Sequence, residues 1–354
     1  MKRLEAVRKI FGSEEEAALI CTPYNRRYFT GFASSAGYLV ITREAADLII
    51  DFRYIEAARA GVNEDVSVLL QVQAFDQIRE ILDSAGVKKV YLEQELTLSD
   101  YELMRSKLPY EMDTGDALTG AAREARSVKD AGELQAMRES QAITDAAFSA
   151  ILGYIRPGLT EVEIAARLEY EMRIRGSEGQ AFSTICVSGE NTSRPHGVPG
   201  DRVIRSGDFI TMDFGSTKHG YLSDMTRTVA VGNVSEKQKL VYETVLQAHL
   251  ESMHAAKAGV TGAELDGIAR KIIDGAGFQG KFGHGLGHSV GLEIHEPPFA
   301  NARNDRPIPA GTIMTIEPGI YLEGEFGVRI ENMICITEDG FEDIPASPRE
   351  LIIL

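Results

Sequence analysis

Asp213 and Asp224 each stand in an apolar run, Phe209-Ile-Thr-Met-Asp-Phe-Gly-Ser and Tyr221-Leu-Ser-Asp-Met-Thr-Arg-Thr-Val, and Thr217-Lys-His-Gly joins the two. The pattern predicts a β-hairpin over 209–229. With its turn centred between Lys218 and His219, the two acids sit directly opposite each other, Cβ atoms about 5 Å apart. Carboxylates that close repel, and a divalent cation is the natural partner for their oxygens. The alternative is one turn acid and one surface salt bridge, and at this point both stay open.

A second acidic pair follows. Gly311-Thr-Ile-Met-Thr-Ile-Glu317-Pro-Gly-Ile-Tyr321 leads through a turn at 323–327 to Val328-Arg329-Ile-Glu331-Asn-Met-Ile-Cys-Ile-Thr. Glu317 and Glu331 are equidistant from Gly324, so they too face each other across a hairpin. An unpaired buried carboxylate costs several kcal/mol. Two such pairs in apolar strands call for cations, and cations call for further ligands.

The stretch Gly283-His284-Gly-Leu-Gly-His288-Ser-Val-Gly-Leu-Glu-Ile-His295-Glu-Pro-Pro298 holds three of the seven histidines of the chain. Its glycines argue against the helix of a His-Glu-x-x-His metalloprotease and for backbone packed tightly near a ligand. His196, in Arg194-Pro-His-Gly-Val-Pro, is a fourth candidate. His219 at the turn, and His249 and His254 on a helix, are expected at the surface.

The elements that must position these groups repeat. Arg156-Pro-Gly158-Leu-Thr160-Glu-Val-Glu163-Ile164 matches Ala258-Gly259-Val-Thr261-Gly-Ala-Glu264-Leu265, and Gly176 matches Gly277, all at an offset of 101. Each copy carries the Thr-x-x-Glu capping box that opens a helix. A duplicated helix-helix-hairpin unit is the simplest reading, and its first long helix spans 129–153. Upstream, strands are expected at 17–21, 37–42, 46–51 and 89–93, with a helix at 75–86. This predicts an α+β chain: a smaller N-terminal α/β domain over 1–122 and a catalytic domain over 123–354, the composition turning polar and small near 114–129. Tyr24, Arg26, Arg27 and Tyr28 read as packing or an oligomer contact.

Composition narrows the partners. The 354 residues are 44% hydrophobic and 25% charged, with a net charge of −16. That acidity opposes nucleic acid and anionic membranes as partners. No run is apolar enough to span a bilayer, and the N-terminus does not read as a signal peptide. Cys21, Cys186 and Cys335 lack metal-type spacing, so free buried thiols in a reducing cytoplasm are expected.

Taken in order, Asp213-Phe-Gly, Ser223-Asp224-Met-Thr-Arg-Thr, His284-Gly-x-Gly-His288, His295-Glu-Pro, Glu317-Pro-Gly and Val328-Arg-Ile-Glu331 resemble the metal-dependent Xaa-Pro peptidases, prolidase and aminopeptidase P. These share the pita-bread fold with methionine aminopeptidase and creatinase. Tyr28-Phe-Thr-Gly-Phe and Asp51-Phe-Arg-Tyr resemble the N-terminal domain of the same family. The resemblance implies two divalent metal ions held by Asp213, Asp224, His288, Glu317 and Glu331. Manganese is the expected metal, with cobalt and zinc as alternatives. It also implies His196, His284 and His295 around the substrate, Glu317 as proton carrier, and Arg329, Tyr321 and Phe182 as substrate-binding residues. The expected activity is hydrolysis of Xaa-Pro bonds in small peptides by a metal-bridging hydroxide, in a cytoplasmic homodimer. A dipeptidase is preferred over an aminopeptidase acting on longer peptides. A non-catalytic pita-bread binding module is the reading from another class, and a methionine aminopeptidase a weaker rival. The chain departs from the family pattern at Arg194 and Asn332.

Overall fold

The computed structural model describes residues 2–354, which divide into two units between Arg126 and Ser127. In the first unit, alternating apolar segments build a six-stranded sheet in the order Ser67–Leu70, Ala46–Ile50, Tyr38–Ile41, Glu16–Ile20, Lys89–Leu92, Glu111–Asp113. The central strands bury Ala17, Leu19, Val40, Ile49, Val90 and Leu92 against Ile78 and Leu82 of the helix Ala74–Ser84. Three strand pairs are parallel and two antiparallel. Arg26 and Tyr28 are buried, and Arg26 donates to the Ser34 carbonyl at 2.9 Å, so these two residues of the cluster pack within the unit. The polar 114–129 stretch forms a helix, Asp116–Ser127, whose Leu118 and Ala122 face inward.

The second unit is built from two similar halves. Helices Ala131–Leu152 and Glu161–Ile174 pack together in the first half, and Glu236–His254 and Gly262–Gly275 in the second. The second helix of each pair opens on a complete capping box, Thr160 with Glu163 and Thr261 with Glu264. The matching glycines share one conformation: Gly158, Gly176, Gly259 and Gly277 have φ of 97°, 95°, 89° and 89°, the left-handed region open to glycine. The turns before the second helices are tied alike, Gly158 N–H to Ile204 O at 3.0 Å and Gly259 N–H to Ile308 O at 2.9 Å. Equivalent residues thus make equivalent bonds, as a duplication requires.

Each helix pair covers its own antiparallel sheet. Met225–Ala230, Phe209–Phe214 and Ile185–Ser188 form the first; Glu296–Ala300, Gly287–Ser289, Ile313–Ile316, Asn332–Ile336 and Phe341–Asp343 form the second. Ile210, Met212 and Val229 turn toward Phe148, Ile164 and Leu168, while Met314, Ile316 and Ile334 turn toward Val245, Leu265 and Ala269. Truncating one such Leu or Ile to Ala costs about 2–5 kcal/mol, so each helix pair is firmly fixed to its sheet. The opposite faces carry the polar residues that build the site.

Candidate metal centre

The first hairpin differs from its expected register. Its turn is His219-Gly220, with φ of 49° and 73°, a residue later than expected. Both positive angles suit a tight two-residue turn. Moving the centre by one position places Asp213 opposite Thr226, and Asp224 lies diagonally beyond it, where the ladder breaks at Ser223 and Asp224. A Cβ on Gly215 would stand 1.8 Å from the Ser223 carbonyl, so only glycine lets the strands cross so closely there. The two aspartates are therefore neighbours on the site rather than a directly opposed pair.

The second hairpin keeps its expected register. Ile316 faces Asn332 on one side of a break and Gly319 faces Arg329 on the other, which puts Glu317 and Glu331 level within the break. Both acids sit where the ladder opens, with side chains free of strand pairing. Thr226 links the hairpins by donating its hydroxyl to Glu331 Oε2 at 2.6 Å.

His288 enters from Gly287–Ser289. A Cβ on Gly287 would meet the Thr315 carbonyl at 2.0 Å, so glycine is needed for this strand to approach its neighbour. The contact of His288 Nδ1 with Ser289 O at 3.1 Å assigns the ring proton to Nδ1. Nε2 then faces the acids, 3.3 Å from Glu317 Oε1 and 3.7 Å from Asp224 Oδ2, where it donates to Glu317 when protonated and, once deprotonated, offers its lone pair to a cation. Ligand atoms of Asp224, His288 and Glu331 lie within 4.8 Å of one another. Asp213 borders the same cavity with Oδ2 held by Arg329 Nη2 at 2.6 Å, while its Oδ1 is buried without a partner.

The electrostatics show surplus negative charge. Burial, then the charges of Glu331 and Asp213, push the Asp224 carboxyl well above the usual range. Burial and the nearby Glu317 and Asp213 do the same to Glu331. Burial raises Asp213 despite Arg329. Burial would raise Glu317 as well, but the hydrogen bond and charge of His288 outweigh it and hold the carboxyl down at about 2. An orphaned carboxylate oxygen among crowded acids, with one imidazole lone pair, is a donor set suited to hard or borderline divalent cations.

Around the acids lies a cavity of about 1010 Å³ lined by Phe182, His196, His284, His295, Phe299 and Arg329, among others. His295 and His288 stand edge to face, ring centroids 4.5 Å apart. Burial, then the neighbouring His288, lowers the His295 pKa. His284 lines this cavity with both ring nitrogens engaged. Its Nδ1 contacts Gly285 O and its Nε2 the Tyr321 hydroxyl, each at 2.9 Å, and Arg329 Nη1 donates to that hydroxyl at 3.0 Å. Tyr321 thus donates to His284, and neither ring nitrogen is left for a substrate. Tyr321 itself stands behind His284 and Arg329 rather than on the cavity wall.

The model of metallopeptidase family M24 matches residues 135–338, and that of the creatinase/prolidase N-terminal domain matches residues 3–128. The chain belongs to metallopeptidase family M24. Among curated relatives, the Xaa-Pro dipeptidase of Pyrococcus horikoshii is 37% identical over 95% of this chain and 94% of its own. Among solved structures, an Xaa-Pro dipeptidase from Bacillus anthracis superposes with a TM-score of 0.96 at 38% identity, covering 100% of this chain and 99% of the other. An X-Pro aminopeptidase from Thermotoga maritima superposes at 0.91 with 37% identity, covering 98% and 99%.

As an M24 metallopeptidase the chain requires divalent metal, and the acidic cluster is where its residues can hold it. Sequence reasoning missed several residues that brace this centre. Arg227 is fully buried and donates to the carbonyls of Thr226, Glu331, Ser347 and Pro348 and to Asn332 Oδ1, at 2.6–2.9 Å. Asn332, where the chain departs from the family pattern, therefore faces Arg227 rather than substrate. Lys129 and Glu296 form a buried ion pair at 3.2 Å beside His295. His249, expected at the surface, is fully buried, with Nδ1 on Ile316 O at 2.9 Å. The one available signal was a basic residue inside an otherwise buried strand or helix face, as at Arg227. Cys186 and Cys335 are buried free thiols, and Cys21 is free and partly exposed. Among the described residues no helix is long and apolar enough to cross a membrane.

Proposed function

We infer that this protein is a prolidase-type enzyme that hydrolyses Xaa-Pro dipeptides. The observation that carries the reading is the convergence of Asp213, Asp224, His288, Glu317 and Glu331 on one cavity that also holds His196 and His295. Those five side chains are the proposed ligands of two divalent ions, manganese being the expected metal. Bound there, the ions would supply an activated water at neutral pH and polarise the scissile carbonyl.

The remaining steps fall to the side chains. His196 and His295 reach the cavity with ring nitrogens free to donate to the oxyanion formed at the substrate carbonyl, each worth about 3 kcal/mol in comparable sites. Glu317, whose carboxyl is ionised at neutral pH, is placed to accept a proton at Oε1 and pass it to the leaving nitrogen. In an Xaa-Pro bond that nitrogen carries no hydrogen, so selection rests on shape. Phe182 offers an apolar wall for the ring. A cytoplasmic homodimer completes the proposal, consistent with free thiols.

The dipeptidases of Pyrococcus horikoshii and Bacillus anthracis support this reading. The Thermotoga maritima likeness supports a second: removal of the first residue from longer Xaa-Pro peptides. A substrate series with added Mn²⁺ separates them. The first reading expects kcat/KM for Ala-Pro to exceed that for Ala-Pro-Ala by about tenfold or more. The opposite order supports the aminopeptidase, and protein that takes up no Mn²⁺ and cuts neither substrate would leave only a binding module.

A further inference from the structure

The segment from Ser188 to Gly200 brings Pro195, His196 and the exposed Val198 to the cavity wall. Both of its ends are tied to one side chain on another element. Glu161 Oε1 accepts from Ser188 N at 2.7 Å, Ser188 Oγ at 2.8 Å and Asn191 Nδ2 at 3.0 Å, and Oε2 accepts from Gly200 N at 3.1 Å. Glu161 is fully buried, and among the described residues no cation pairs with it. Arg202 stops short of it, donating to Ser188 Oγ at 2.8 Å and to Asp208. A carboxylate buried this way is tolerated because four neutral donors and a helix N-terminus hold its charge.

The helix does not need this acid. The Thr160–Glu163 capping box already closes the first turn. The other half of the duplication has Gly262 at the matching position, where a Cβ would meet the Phe299 carbonyl at 2.2 Å, and its helix forms equally well. The acid is therefore particular to the half that carries His196. Its four bonds close the base of that loop, while Gly327 N–H donates to Thr192 Oγ1 at 2.8 Å and Arg329 Nη1 to the Pro195 carbonyl at 3.3 Å nearer its tip.

We propose that Glu161 is a positioning residue that acts through His196 by clamping both ends of the 188–200 loop. The kinetic part rests on the dipeptidase reading; the loop order can be read without any substrate. Small displacements of a positioned donor lose large rate factors, and a residue acting only through another adds nothing once that other is removed.

The experiment compares wild type, Glu161→Ala, Glu161→Gln, His196→Ala and the Glu161→Ala/His196→Ala double variant as full-length, Mn²⁺-loaded protein. Hydrogen exchange should show the Ser188 and Gly200 amides exposed about tenfold or more faster in Glu161→Ala, with amides 165–174 unchanged. In kcat/KM on Ala-Pro, Glu161→Ala should lose about tenfold or more and Glu161→Gln, which keeps the Oε1 bonds, about threefold or less. The double variant should match His196→Ala within about threefold, with bound manganese unchanged. Multiplied losses, or unchanged protection of those two amides, would overturn the proposal. If Glu161→Ala does not fold, Ser188→Ala/Asn191→Ala removes two of the bonds from the loop side and is judged by kinetics alone: its loss in kcat/KM should vanish in the His196→Ala background, and a multiplied loss would overturn the proposal. If wild type leaves Ala-Pro uncut, the dipeptidase reading fails, and the exchange result alone decides the role of Glu161.

Discussion

Arg329 Nη2 and Asp213 Oδ2 are 2.6 Å apart, and the guanidinium also reaches the Tyr321 hydroxyl and Thr226 Oγ1 at 3.0 and 3.1 Å. One oxygen of the Asp213 carboxylate is thereby fixed, while Oδ1 stays buried and unpartnered. The arginine orients the acid and lowers the electrostatic cost of keeping it charged among other acids. Asp213→Asn keeps an acceptor for Arg329 but loses the charge. It should fold like wild type and bind less manganese, with kcat/KM down by about a hundredfold or more, given several kcal/mol of metal-derived stabilisation. Elemental analysis and dipeptide kinetics check this; near-normal turnover would remove Asp213 from the ligand set.

His295 tests the division between ligands and substrate-facing groups. Its ring packs edge to face on His288 and makes no hydrogen bond or ion pair with Asp213, Asp224, Glu317 or Glu331. Replacing it by alanine should lower kcat by about a hundredfold, as for loss of one oxyanion donor, and leave bound manganese unchanged. Loss of manganese in step with activity would make His295 a ligand instead.

Much of this centre was legible because hairpins and capping boxes are local rules. Glu317 and Glu331 came out level because a symmetric turn at Gly324 fixes the register of its flanks. Asp213 and Asp224 did not, because the turn falls on His219-Gly220, one position beyond the centre expected between Lys218 and His219. The roles of Arg227, Glu161 and Asp266 were illegible for another reason. Asp266, on Gly262–Gly275, is buried, accepts Leu286 N–H at 3.0 Å and pairs with Arg270, which holds the His284 carbonyl. Each has a deciding partner 20 or more positions away, Glu331 for Arg227, Ser188 for Glu161 and Leu286 for Asp266, and buried polar residues follow no period. His249 misled for the same reason: its place on the helix resembles a polar face until Ile316 supplies an acceptor.

Lys129 and Glu296 form a pair whose side chains are 1% and 4% exposed. Lys129 also donates to Ser289 Oγ at 3.0 Å, and Glu296 accepts the amides of Leu292 and Glu293 at 2.9 and 3.1 Å. The pair thus ties the residue after His288 to the residue after His295. Lys129→Met should destabilise the protein by about 3–5 kcal/mol, because it leaves a buried charge uncompensated. Adding Glu296→Gln should recover part of that loss. Urea unfolding of the single and double variants decides; a double variant less stable than the sum of both singles would contradict a direct pair.

His249 gives the acid stability of the fold a specific source. Burial holds its pKa down at about 3 against an ordinary 6.5, and its Nε2 is buried without a partner, so the folded ring is neutral with its proton on Nδ1. The unfolded chain takes up a proton at this residue below pH 6.5 and the folded chain does not. The unfolded state therefore binds more protons between 6.5 and about 3, and stability falls as pH falls through that window. From pH 7 to 4.5 the residue should account for about 2–3 kcal/mol of lost stability. His249→Asn retains a donor toward Ile316 and cannot titrate. Compared as metal-free proteins, wild type should lose about 2–3 kcal/mol more than the variant over that range in urea unfolding. Equal losses would show that His249 is protonated in the folded state as readily as in the unfolded one.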